Sequence, residues 1–108
     1  MVRPRDTVPR MTHQGLQVLK VFLEEPTRQF YGAELIKATG LPSGTIYPIM
    51  LRFERSGLLN SRWETETPSD MGRPRRRLYN ITPKGCEIAR STLAGLFLPL
   101  QQLVPVRT

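Results

Sequence analysis

Tyr31-Gly32-Ala33-Glu34-Leu35-Ile36-Lys37-Ala38-Thr39-Gly40-Leu41-Pro42-Ser43-Gly44-Thr45-Ile46-Tyr47-Pro48-Ile49-Met50-Leu51-Arg52-Phe53-Glu54-Arg55-Ser56-Gly57 decides the fold. Its first ten residues read as a short helix, with Gly40 suited to the left-handed position after the last turn. Ser43 reads as the N-cap of a second short helix running through Ile46, Ile49, Met50 and Phe53. Arg52 and Arg55 suit its last turn, where they meet the negative end of the helix dipole, and Gly57 stops it. Pro48 is the discordant residue. It lacks the N–H that would bond to Gly44, so a distorted first turn is expected. Two short helices across a tight glycine turn make the helix-turn-helix pattern.

Outward from this stretch the periods change. Upstream, Leu16, Leu19 and Leu23 recur at helical spacing beside Val18 and Phe22. Thr12 is the expected cap and Pro26 the stop. Downstream, Leu59, Ser61, Trp63 and Thr65 alternate with polar residues, as in a strand. A polar loop with Pro68, Gly72 and Pro74 follows, and Arg77, Tyr79 and Ile81 alternate in turn. The two strands form a long hairpin, a wing. Thr82-Pro83 begins a last helix, with Thr as cap and Pro at its first position. Cys86, Ala89, Leu93, Leu96, Leu100 and Leu103 then follow at the spacings of a heptad seam. Pro99 is expected to kink or end that helix near Leu98.

The order helix, helix, helix, strand, strand, helix predicts a mainly α chain with a small β-hairpin (α+β). This is a winged helix-turn-helix with a C-terminal dimerisation helix. Residues 1–11, with Arg3, Arg5 and Arg10, read as a flexible basic arm. Residues 12–82 make the DNA-binding domain, and 83–108 the dimerisation helix and tail.

The chain has 108 residues, 39% hydrophobic and 23% charged, as expected for one soluble domain. No apolar run approaches the length of a membrane span or a signal peptide. A single cysteine, Cys86, excludes an internal disulfide and points to a reducing cytoplasm. With one Cys and one His, His13, a structural zinc is not expected. Lys and Arg total 16 against 9 acids, a net charge of +7. Such a balance points to a polyanionic partner, nucleic acid before an anionic membrane.

The placement of charge favours DNA. Residues 12–30 carry Lys20 and Arg28 against Glu24 and Glu25, so the excess lies off the first helix. It gathers at the wing tip, Gly72-Arg73-Pro74-Arg75-Arg76-Arg77, where arginines suit phosphates or a narrow minor groove. The bland alternative is a solvated charge run. At the start of the third helix, Ser43, Gly44, Thr45 and Tyr47 stand where a recognition helix meets base edges and phosphates. Ser43 would serve equally as a simple cap, and Tyr47 as a half-buried core residue. The heptad seam reads as a homodimer interface or as packing on the chain's own core. Glu64, Glu66 and Asp70 read as a solvated acidic rim before a metal site. No phosphate loop, nucleophile arrangement or metal cluster is legible, so no enzyme and no cofactor are expected.

Residues 43–59 resemble the signature of the PadR-like transcriptional regulators, as does Gly72-Arg73-Pro74-Arg75-Arg76-Arg77-Leu78-Tyr79-Asn80-Ile81-Thr82-Pro83-Lys84-Gly85. Tyr31-Gly32-Ala33-Glu34-Leu35 resembles that family's second-helix motif. The resemblance accounts for Pro48. It implies a homodimeric repressor on a pseudo-palindromic double-stranded operator, associated with the nucleoid and joined through the terminal helix. It implies DNA contacts at Ser43, Gly44, Thr45 and Tyr47, at Arg73, Pro74 and Arg75, and near Tyr31 and Gly32. Arg76 joins them from the charge run. Arg52 and Glu54 match a step expected to pair structurally. Some relatives bind phenolic or drug-like effectors at the dimer interface. Here the terminal helix is short, holds Pro99 and has no Trp, and the effector stays unnamed. Two other readings stay open: a low-specificity architectural or replication-related DNA binder, and a winged-helix protein-interaction module.

Overall fold

The computed structural model describes residues 11–103, with side chains through 95. The Thr12 hydroxyl accepts from the Gly15 N–H at 2.9 Å and starts α1 (His13–Glu24). Its periodic stripe buries Val18, Leu19 and Phe22. After Pro26 the chain makes a strand too short to be read from sequence, β1 (Phe30–Tyr31), and turns directly into α2 (Gly32–Thr39). Gly40 takes the left-handed conformation (φ 73°) that a residue with a Cβ resists, and so ends α2.

The recognition helix, α3 (Ser43–Arg55), differs from expectation at its start. Pro42, not Ser43, is the N-cap, because its carbonyl accepts from the Thr45 and Ile46 N–H groups at 2.9 and 3.0 Å. Ser43 is the first helical residue and its side chain is exposed. The helix continues through Pro48 without a break. Gly44, whose carbonyl loses a donor there, is exposed and has no heavy atom crowding it.

The wing is part of a three-stranded antiparallel sheet in the order β1-β3-β2. β2 (Leu59–Trp63) pairs with β3 (Arg77–Ile81) in the register Leu59↔Ile81 to Trp63↔Arg77. On its other edge β3 takes up β1, with Phe30 opposite Tyr79 and Tyr31 opposite Leu78. The expected two-stranded hairpin thus gains a third strand, supplied by the segment just before the helix-turn-helix. What reads as a plain loop contains α4 (Pro68–Met71), capped by the Thr67 hydroxyl and ended at Gly72 (φ 70°).

α5 (Pro83–Leu103) begins as expected. The Thr82 hydroxyl accepts from Gly85 N–H at 2.9 Å and donates to the Gly57 carbonyl at 2.6 Å. Pro99 does not end this helix, which runs to Leu103. The carbonyl left without its helical donor by a proline belongs to the residue four before, here Gly95. Gly85 lets the first turn of α5 lie on the backbone of Leu58, since an added Cβ would collide with that carbonyl.

One core joins these parts. Phe22, Leu35, Ile46, Phe53, Leu58 and Leu59 are wholly buried, so every helix up to α3 and the wing strands share it. Each such side chain contributes about 1.5–3 kcal/mol over leaving it in water. Phe22 and Phe30 meet edge to face with centroids 5.0 Å apart, which ties β1 to α1. Ala89 belongs to this same core at 0% exposure, which corrects its assignment to a dimer seam: it packs inside its own chain. Cys86 and Ile88 pack beside it. Leu93 is half-buried and borders an open groove with His13, Leu16, Gln17 and Lys20 of α1. The side chains of Leu96, Leu100 and Leu103, and the arm with Arg3, Arg5 and Arg10, lie outside the described residues.

Candidate nucleic-acid interface

The start of α3 and the base of the wing enclose one concave surface of about 330 Å³, lined by Gly32, Ala33, Tyr47, Trp63, Tyr79 and three consecutive arginines, Arg75, Arg76 and Arg77. Helix geometry brings Tyr47 here. Ile46, Ile49, Met50 and Phe53 fill the core, so Gly44, Tyr47, Pro48 and Leu51 face outward. Ser43 is exposed beside them and Thr45 half-buried. The Tyr47 ring lies across Gly32. A Cβ there would collide with its hydroxyl and stand 2.7 Å from Cε1 and Cζ. Gly32 is therefore buried as the seat of Tyr47, a packing role beside the DNA contact that the family resemblance implies there.

The wing arginines do not act alike. Arg73 folds back on Glu64 in a two-pronged pair, with Nη1 to Oε1 at 2.7 Å and Nη2 to Oε2 at 2.9 Å. The same carboxylate accepts from the Arg76 N–H at 2.9 Å and from the Tyr31 hydroxyl at 3.0 Å. One buried acid therefore joins the wing tip, the residue just before β3, and β1. The Arg73 guanidinium first, then the Arg76 N–H and the Tyr31 hydroxyl, hold the Glu64 carboxyl down from 4.5 to about 2, against the opposing effect of burial. Glu64 is thus neither a solvated rim nor a metal ligand in this arrangement. Arg73 and Tyr31, both expected at DNA, bond Glu64 and help hold the wing. Every buried side-chain nitrogen or oxygen among the described residues has a partner.

The remaining cations face the concavity. Arg75 is exposed and steadied by one bond, Nε to the Glu66 carbonyl at 2.9 Å. The Arg76 guanidinium lies 3.5 Å from the Tyr31 ring centroid, a cation–π contact, with its Nε 3.9 Å from Glu64 Oε1. Arg77 donates to Ser61 Oγ at 2.9 Å, reaches Glu54 at 3.4 Å and stacks 5.2 Å from Trp63. Glu54 therefore pairs across to β3, also accepting from Ser61, and not with Arg52, as expected from sequence; Arg52 is exposed. Pro74 is exposed, and its carbonyl accepts from Arg73 at 3.1 Å. Trp63, exposed by 56%, is a member of the surface that sequence reasoning placed only on a strand. Its signal was there: a Trp at the outer end of a strand facing three arginines. No described helix is long and apolar enough to cross a membrane.

Comparison with known proteins shows the family and the fold. A profile of the "Transcriptional regulator PadR-like family" matches residues 18–91. Among solved structures, a PadR-like transcription factor from Bacteroides fragilis is similar with a TM-score of 0.67 and 21% identity, covering 83% of this chain and 88% of that one. A PadR family regulator from Eggerthella lenta is similar with a TM-score of 0.66 and 26% identity, over 83% and 80%. The PcaV regulator from Streptomyces coelicolor, solved with its natural ligand, shares the fold with a TM-score of 0.63 and 21% identity, over 94% and 70%. A comparison with curated protein sequences gave no significant match. The matched profile spans the whole helix-turn-helix, the wing and the start of α5, and the chain belongs to the PadR-like family of DNA-binding transcriptional regulators.

Proposed function

We propose that the protein is a homodimeric, sequence-specific repressor. Helix α3 enters the major groove of a pseudo-palindromic operator, and the wing follows the flanking backbone or minor groove. The observation that carries this reading is the single concave face formed by Tyr47, Trp63, Arg75, Arg76 and Arg77. Backbone N–H groups at the start of α3, with Ser43, Gly44 and Thr45, add phosphate and base contacts there. Arg75 and Arg76 carry the phosphate contacts of the wing, while Arg73 sets its position through Glu64. Dimerisation uses Leu93 with Leu96, Leu100 and Leu103 on α5, beside the open face of α1. A small-molecule effector at that interface fits the family, and the complex works in the cytoplasm on the nucleoid.

Affinity selection of fragmented source genome on the purified protein, at near-physiological salt, tests the reading. Enrichment of a few pseudo-palindromic sites, above all beside its own gene, supports a specific repressor. Uniform recovery replaces it with an architectural binder, and no recovery with a protein-interaction module. Leu96→Asp and Leu100→Asp should each give monomers in sedimentation equilibrium. A dimer that survives both relocates the interface.

A further inference from the structure

The outward face of α3 has a composition that specifies what it can read. Tyr47, Pro48 and Leu51 share the outward face of the helix within about one turn, with Leu51 exposed by 47% and Tyr47 by 44%. Arg52 and Arg55 follow at the C-terminal end of the same face. Up to Arg52, that face holds no Asn, Gln, Arg or Lys, the side chains that bond base edges in pairs. A leucine held against a guanine or cytosine edge would strip water from a donor or acceptor and give nothing back. The major groove offers one apolar group, the C5-methyl of thymine. The flanking cations, Arg52 and Arg55 on the helix and Arg75 and Arg76 on the wing, make a polyanion the occupant that this apolar stripe fits.

We infer that Leu51, seated beside Pro48, reads a thymine methyl group in the major groove, so that the protein selects A·T pairs opposite the middle of α3 by apolar contact. The inference rests on the proposed DNA-binding reading and names its specificity determinant. Burying one methyl is worth about fourfold in affinity.

The test uses a pool of synthetic duplexes with a randomised core, selected on the full-length protein. Each thymine of the recovered site is then replaced singly by deoxyuridine, which removes the methyl and leaves every base-pairing group. One replacement per half-site should weaken binding about fourfold. In Leu51→Ala that difference should vanish at the same position, with the salt dependence of binding unchanged. Leu51 is exposed, so the substitution opens no cavity, and the deoxyuridine series on the unaltered protein stands without it. Uniform tolerance of deoxyuridine, or a thymine preference that persists at full size in Leu51→Ala, overturns the inference. Failure to recover any duplex refutes the DNA-binding reading itself, and the inference with it.

Discussion

Replacing Gly85 by alanine should destabilise the protein, although alanine is the better helix former. A Cβ at residue 85 would collide with the Leu58 carbonyl oxygen and stand 2.8 Å from Ile81 Cγ1 and 3.0 Å from the Leu58 carbonyl carbon. Ordinary carbon contacts lie near 3.5–4.0 Å, so α5 or the Leu58 peptide must retreat by roughly an ångström. That carbonyl accepts from Thr82 N–H at 3.0 Å, so the retreat loosens the junction of wing and helix. Overpacking of this kind costs about 1–3 kcal/mol, and a weakened hydrogen bond about 1 more. The gain in helix propensity returns at most about 1 kcal/mol. The net is near 2 kcal/mol, a fall in Tm of roughly 8–16 °C for a domain of this size. Thermal unfolding followed by circular dichroism at one protein concentration measures it. Gly44→Ala is the control: it makes the same exchange in the first turn of α3 where nothing lies within 4 Å of the added atom, and should be neutral or slightly stabilising. Equal melting of the Gly85→Ala variant and the parent would refute the close approach of α5 to Leu58.

Other consequences concern the DNA face. Arg75→Ala should lower the slope of log affinity against log salt by about one unit, as one phosphate contact is lost. Arg73→Ala should weaken binding with that slope nearly unchanged, because its guanidinium lies on Glu64; filter binding across a salt series separates the two. Glu64 has its carboxyl lowered from 4.5 to about 2, so its contribution to stability is full above pH 4.5 and is lost as pH falls toward 2. The stability advantage of the parent over Glu64→Gln should accordingly shrink through that window in acid titrations of unfolding, and an advantage constant with pH would contradict the assignment. Gly32→Ala should displace the Tyr47 ring and reduce DNA affinity at least as far as Tyr47→Ala does, while the Tm stays within a few degrees.

What the sequence determined by itself is local in origin. Apolar spacing and short-range caps define α1, α2 and α3 within a residue or two, and Thr82-Pro83 marks the start of α5. These signals work because each depends on neighbours three or four positions away. Alternation likewise located β2 and β3, and the polar loop between them joined them as a wing hairpin. The tertiary structure decided whatever depends on partners far along the chain. β1 is two residues long and exists because β3 offers it an edge. Glu64 looks like one acid among several until folding brings Arg73, Arg76 and Tyr31 around it. Ala89 sits in a heptad pattern that fits a partner helix as well as its own core, and packing settles it inward. The arginine run is uniform in sequence, yet Arg73 and Arg76 pair with Glu64 and Arg77 with Glu54, while Arg75 is bonded to the Glu66 carbonyl. Charge can be counted from residues alone, but which charges remain free depends on which acids the fold brings within reach.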